Sequence, residues 1–141
     1  MAYEFPTGQV NLGVLTASSD YNDAADQYCV VKSTNGTSFR KTNSLGEQAL
    51  GILTDRPSSG TPGNICIFGV TKARVTSASH AAWNVGTKMT GSTTGGLVSS
   101  TTITRYVLGR LLERVSSNST GLYTFFVNHE GAGSSGALTG A

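Results

Sequence analysis

Side chains able to do chemistry are few and scattered. His80 and His129 are the only histidines. His80 stands between Ser79 and Ala81-Ala82 with no carboxylate beside it, and His129 precedes Glu130. A zinc site draws three or four ligands from Cys, His and acidic side chains, and neither neighbourhood supplies them. A serine, a histidine and an acid could meet in space, but no Gly-x-Ser-x-Gly elbow presents a nucleophile. Cys29 and Cys66 lie in the apolar runs Tyr28-Cys29-Val30-Val31 and Ile65-Cys66-Ile67-Phe68. That placement suits buried thiols acting as small hydrophobes. No Cys-x-x-Cys occurs, and a Cys29–Cys66 disulfide is left open.

Asp20, Asp23 and Asp26 recur at every third position and superficially resemble a cation loop. The calcium pattern needs further ligands and a closing glutamate, and Ala24-Ala25 provides none. A solvated linker is the simpler reading; weak ion binding or a charge contact with a partner is the other. Gly91–Gly96 lacks the Gly-Lys-Ser/Thr ending of a phosphate loop and reads as a turn. The resulting expectation is a protein with no catalytic residues, no cofactor and no metal.

Composition fits that expectation. Charged residues make up 13% of the chain and hydrophobic ones 38%, with 18 glycines. Abundant Gly, Ser, Thr and β-branched residues favour strands and turns over helices. The formal charge is only +2, without a basic block able to neutralise several phosphates. Nucleic-acid binding would need folding to gather Arg56, Lys72, Arg74, Arg110 and Arg114 into one patch. There is neither a basic-then-apolar N-terminal leader nor a run near the roughly 18 apolar residues of a membrane span. The expectation is a soluble chain made in a cytoplasm with reduced cysteines.

The elements that must position these residues read as short strands separated by turns. Candidates are Gln27–Lys32, Thr37–Lys41, Ala49–Thr54, Asn64–Val70 continuing through Thr71–Val75, Lys88–Thr90, Leu97–Ser99, Arg105–Leu112 and Leu122–Val127. Asn35-Gly36 is a hairpin signal between the first two. In Thr71–Val75, Lys72 and Arg74 alternate with Ala73 and Val75, the period of a half-exposed strand. Ser77–Trp83 reads as a helical turn or a loop. The fold class is all-β: a small antiparallel β-barrel with pseudo-repeated strand–turn–strand units and extended N- and C-terminal segments. Three regions follow: an extended arm and linker over residues 1–26, the barrel over 27–130, and a Gly/Ser-rich tail over 131–141.

The repeat is visible without a gap. Ala49-Leu50-Gly51-Ile52-Leu53-Thr54-Asp55-Arg56 aligns with Val107-Leu108-Gly109-Arg110-Leu111-Leu112-Glu113-Arg114. The register continues through Ser58-Ser59 with Ser116-Ser117, Gly63 with Gly121, and Phe68 with Phe126. Chance similarity in a Gly/Ser-rich chain is the competing account. If the repeat is real, Gly51 and Gly109 mark a bulge, a tight bend or a close backbone approach.

The order of these pieces resembles a family of tailed-phage capsid proteins known as decoration, cement or head-stabilising proteins. The matching pieces are Tyr28-Cys29-Val30-Val31, Asn35-Gly36, Gly51-Ile52-Leu53 with Pro57, Ile65–Val70, Val85-Gly86-Thr87-Lys88-Met89, Val107–Glu113 and Tyr123–Val127. The long arm, the Gly/Ser tail and Arg110 depart from the pattern. The resemblance implies a barrel on the outer surface of a phage head, assembled in the host cytoplasm. There it would bind the major capsid protein, without nucleic acid or membrane, and lock neighbouring subunits together. A homotrimer on local threefold positions is implied first, a dimer on twofold positions second. Expected capsid or subunit contacts are Tyr3, Phe5, Val10, Leu12 and Val14 in the arm, with Trp83 either a contact anchor or a plug over a barrel end. A tail or baseplate accessory protein and a carbohydrate-binding β module, with Trp83 and tyrosines as its platform, are the alternatives.

Overall fold

The computed structural model describes residues 9–132. Its strands are β1 (Gln9–Leu12), β2 (Thr16–Ala17), β3 (Val30–Ser33), β4 (Ser38–Lys41), β5 (Gly51–Leu53), β6 (Ile65–Val75), β7 (Lys88–Gly91), β8 (Leu97–Ser99), β9 (Val107–Leu111) and β10 (Gly121–Gly131). All join one sheet in the order β2-β4-β3-β5-β6-β10-β9-β7-β8, with β1 added on β6. Only β2 and β4 pair in parallel. The strands read from sequence are present, and Ser77–Trp83 is a loop rather than a helical turn.

The sheet does not close into a barrel, which corrects the expected architecture. Its terminal strands β2 and β8 are two and three residues long and do not pair with each other. The β7–β8 turn reaches the β3–β4 region through isolated bonds instead: Val30 N–H to the Gly95 carbonyl at 2.7 Å and Gly46 N–H to that of Gly91 at 3.0 Å. Alternating strands dictate a curled two-faced sheet. Whether its ends meet depends on accumulated twist, which no local pattern encodes.

Consecutive residues of the central strands feed two separate cores. Val30, Ile52, Cys66, Ala73, Val75 and Phe125 belong to the larger one. Their neighbours Val31, Leu53 and Ile65 belong to a second, completed by Leu15, Ala17, Tyr21 and Phe39. The sequence reading of residues 1–26 as arm and linker therefore meets a segment that, from residue 9 on, pairs and packs. Leu15–Tyr21 covers the second face of β3, β5 and β6, because those strands are apolar on both sides.

The internal echo has a structural counterpart. Gly51 and Gly109 are places of close backbone approach: a Cβ there would lie 2.1 Å from the Cys66 carbonyl oxygen and 1.9 Å from that of Phe126. The turn after each first strand clamps another segment. The Pro57 carbonyl accepts from Tyr21 N–H at 2.8 Å, and the Val115 carbonyl accepts from Trp83 N–H at 2.9 Å. The return strands differ in register by two residues, since Leu53 faces Ile65 whereas Leu111 faces Phe125. An even shift preserves which face each side chain takes.

β6 changes partner at its middle. Gly69 has φ 111 and pairs with both Gln9 and Val127, where the strand passes from β1 to β10. A side chain at that φ is strained, so glycine is required.

Candidate interaction surface

Beyond Gly69 the strand alternates cleanly. Thr71, Ala73 and Val75 are buried, while Val70 and Lys72 point outward. Phe68 also points outward, in phase with Val70 and Lys72 although apolar, and is 46% exposed. Cross-strand pairing builds a patch around it. Val10 of β1 faces Phe68, and Phe126 of β10 lies between Val70 of β6 and Arg110 of β9. The Phe68 and Phe126 rings meet edge to face, 5.5 Å apart at 71°. Leu112 and Leu122 are further exposed apolar residues, Leu122 opposite Arg74 and separated from Phe126 by the Thr124–Lys72 pair. The Val10, Phe68, Val70 and Phe126 cluster marks an interaction site more readily than isolated exposed residues do. Edge-to-face phenyl rings give no continuous platform for stacking sugars.

One margin of this face is an open groove of about 540 Å³ lined by Gln9, Asn11, Tyr28, Asn64, Val70 and Lys72, among others. Gln9 Nε2 donates to the Val70 carbonyl at 2.8 Å and fixes β1 beside it. Tyr28 holds a left-handed backbone, φ 68. Its N–H donates to the Leu53 carbonyl at 2.6 Å and its carbonyl accepts from Arg74 N–H at 2.9 Å. Such strain in a bulky residue persists only where surrounding bonds over-determine it. At the other margin Arg110 Nε donates to Glu130 at 2.7 Å, and this bond raises the guanidinium's pKa.

The expected contact residues fall in different places. Val10 belongs to the apolar face and is 52% exposed. Leu12 packs against the second core, and Val14, just beyond β1, is 75% exposed. Tyr3 and Phe5 lie outside the described residues. Trp83 is 8% exposed and joins the larger core, stacked on His80 with ring centres 3.9 Å apart. Phe68, Val70, Leu112, Leu122 and Phe126 are not among the contacts expected from sequence, although Phe68 and Phe126 match in the internal repeat. For Phe68 and Val70 the signal is the alternation through Thr71–Val75: extended backward, the Lys72 and Arg74 phase falls on both.

The candidate chemistry disperses. Asp26 pairs with Lys41 at 2.5 Å and accepts from Asp23 N–H at 3.3 Å, whereas Asp20 accepts from Ser59 N–H at 2.7 Å, so Asp20 and Asp26 serve separate partners. Tyr106 lies 2.5 Å from His129 Nδ1, far in sequence from His80 and its own loop contacts. Among the described residues no group of three or more Cys, His, Asp or Glu side chains could hold a metal. Among the described residues no helix is long and apolar enough to cross a membrane. Cys29 and Cys66 are buried free thiols. Burial pushes Cys66 up to about 11, and raises Cys29 against the opposing charges of Lys41 and Arg74. Two of the five basic residues are engaged internally, Arg110 by Glu130 and Arg74 by the carbonyls of Gln27 and Ala24.

This chain is similar in fold to the crystal structure of the head fiber gp8.5 N base in bacteriophage phi29. The TM-score is 0.56 at 15% sequence identity, over 85% of this chain and 94% of that one. No family model and no curated protein matches the chain.

Proposed function

We propose that this chain is a non-catalytic structural protein of a phage virion, held on the outer surface of the head by its Phe68 face. The exposed apolar sheet face carries the reading, since an unpaired Phe–Val surface of this kind is stabilised by covering it. The shared fold with a head fiber base supports a head location, and the scattered reactive side chains support a binding rather than a catalytic role. The partner is the major capsid protein, and bridging neighbouring subunits would make the chain a decoration or cement protein. Each bound copy adds buried area that must be exposed again before the subunits separate. Symmetric shells present such sites in equivalent sets, which favours a trimer, or else a dimer, of this chain.

The test adds purified protein to undecorated heads and counts bound copies, followed by heating of decorated and bare heads. Binding with raised particle melting supports the decoration role. Phe68→Ser is expected to lower occupancy at a fixed concentration, with the chain still folded, because the side chain lies outside both cores. Absence of binding to any head preparation, or full occupancy by a Phe68→Ser, Val70→Ser double variant, would overturn the reading.

A further inference from the structure

A second surface shares no residue with the Phe68 face. An open groove of about 340 Å³ lies where the 77–83 loop meets β8 and the segment leading to β9. His80 and Trp83 form one wall, Leu45 and Val98 add apolar contact, and Arg105 with serine hydroxyls supplies polarity. No carboxylate lines it.

The groove is held rigidly. His80 Nδ1 lies 2.7 Å from the Ala81 carbonyl oxygen and Nε2 2.8 Å from that of Ser119. The imidazole is thereby fixed flat on the indole, at an interplanar angle of 16°. Asn118 clamps the loop from both directions: its Oδ1 accepts from His80 N–H at 3.0 Å, and its own N–H donates to the His80 carbonyl at 2.9 Å. Asn118 does so with φ 59, a left-handed conformation sustained by these bonds.

Arg105 is also set in place. Its Nη1 donates to the Ser99 carbonyl at 3.3 Å and to Thr101 Oγ1 at 3.1 Å. Its stem lies against Gly46, where an added Cβ would come within 2.5 Å of the arginine Cγ. Among the described residues, Nε and Nη2 of Arg105 have no partner and no acid neutralises the guanidinium. A pre-positioned fork of this kind suits a carboxylate.

We propose that this groove binds an acidic saccharide, a uronic acid within a surface glycan. Arg105 takes the carboxylate, the hydroxyls of Ser77, Ser79 and Ser99 bond the ring hydroxyls, and the sugar's C–H surface lies along His80 and Leu45. The serines favour a saccharide over a peptide terminus, which would offer a single carboxylate and few other polar atoms.

Trp83 is the only tryptophan and lines this groove, so its fluorescence serves as the readout of binding there. Titrating the whole chain with a galacturonic acid trisaccharide is expected to give a saturable change in the roughly millimolar range. Maltotriose, a neutral trisaccharide with the same α-1,4 linkage, should bind at least roughly tenfold more weakly. Arg105→Gln should lose the response while retaining the native circular dichroism spectrum. Ser79→Val, at an exposed loop position, should weaken binding without touching the arginine's supports. The assignment is overturned by no saturable change, by equal response to maltotriose, or by an unaltered Arg105→Gln titration. Equal saturation by acetate, or tighter binding of a short peptide with a free carboxylate terminus, would also overturn it.

Discussion

Replacing Gly109 by alanine tests whether the repeated glycines are sites of enforced backbone contact. The new Cβ would lie 1.9 Å from the Phe126 carbonyl oxygen and 2.9 Å from the Phe125 ring. Carbon and oxygen normally approach to about 3.3 Å, so β9 and β10 must separate by roughly an ångström at this point. The backbone of Gly109 is not in the left-handed region, which leaves contact rather than conformation as the cause. Overpacking of a close-packed site costs about 1–3 kcal/mol. Weakening one or two cross-strand hydrogen bonds adds about 1 kcal/mol each. The sum, roughly 2–5 kcal/mol, is a large share of the roughly 5–15 kcal/mol that holds a domain folded. At roughly 3–5 °C per kcal/mol for a domain of this size, thermal melting should fall by about 6–25 °C. Gly51→Ala, with its Cβ 2.1 Å from the Cys66 carbonyl oxygen, should behave alike. Gly13 has nothing within 4 Å of an added Cβ, so Gly13→Ala should change stability by no more than about 0.5 kcal/mol. Melting of Gly109→Ala within roughly 3 °C of the parent would refute the reasoning.

Further expectations concern titrating groups. The Cys66 thiol, raised to about 11 by burial, favours the folded state while protonated. Its contribution is complete below the ordinary value of 9.0 and is lost as pH rises toward 11. The fall in melting temperature across that window should shrink in Cys66→Ala, and the native thiol should react with a disulfide reagent only on unfolding. For Glu47, burial alone would raise the carboxyl, but Lys32 and the N–H groups of Asn43 and Ser44 outweigh it and lower the pKa. Its stabilisation is therefore present above 4.5 and lost as pH falls through the lower folded value. Glu47→Gln should cost about 1–2 kcal/mol in urea unfolding at neutral pH, with less difference from the parent in acid.

Much of the strand layout was legible because it is local. Asn35-Gly36 turns the chain as its residues require: Gly36 has φ 84, and Asn35 Oδ1 accepts from Thr37 and Ser38 N–H, both at 3.1 Å. Lys72 and Ala73 take opposite faces as their alternation implies. Gly51 and Gly109 could be marked as special from their place in a repeated strand, because a strand-interior glycine needs a reason.

The site was harder to read. Phe68 and Val70 look like core residues by type, and only the phase shared with Lys72 betrays their outward direction. By type Trp83 reads equally as a contact anchor or a plug, and it is the bridge to Val115 that places it against the larger core. Leu15, Ala17 and Tyr21 sit in a stretch with no clear period, and their burial depends on β3, β5 and β6 being apolar on both faces.

The sequence by itself determined an all-β chain, the positions of most strands and turns, the repeated glycines, and the absence of any local motif for catalysis or metal binding. Those properties follow from backbone preference, side-chain period and steric demand within a few residues. Tertiary structure alone decided that the sheet stays open, that residues 15–21 complete a second core, and that Val10, Phe68, Val70 and Phe126 share one exposed face. Each of these depends on twist accumulated over many strands or on pairing between distant segments. Val10 faces Phe68 because β1 pairs with β6, and nothing in the residues around Val10 specifies that partner.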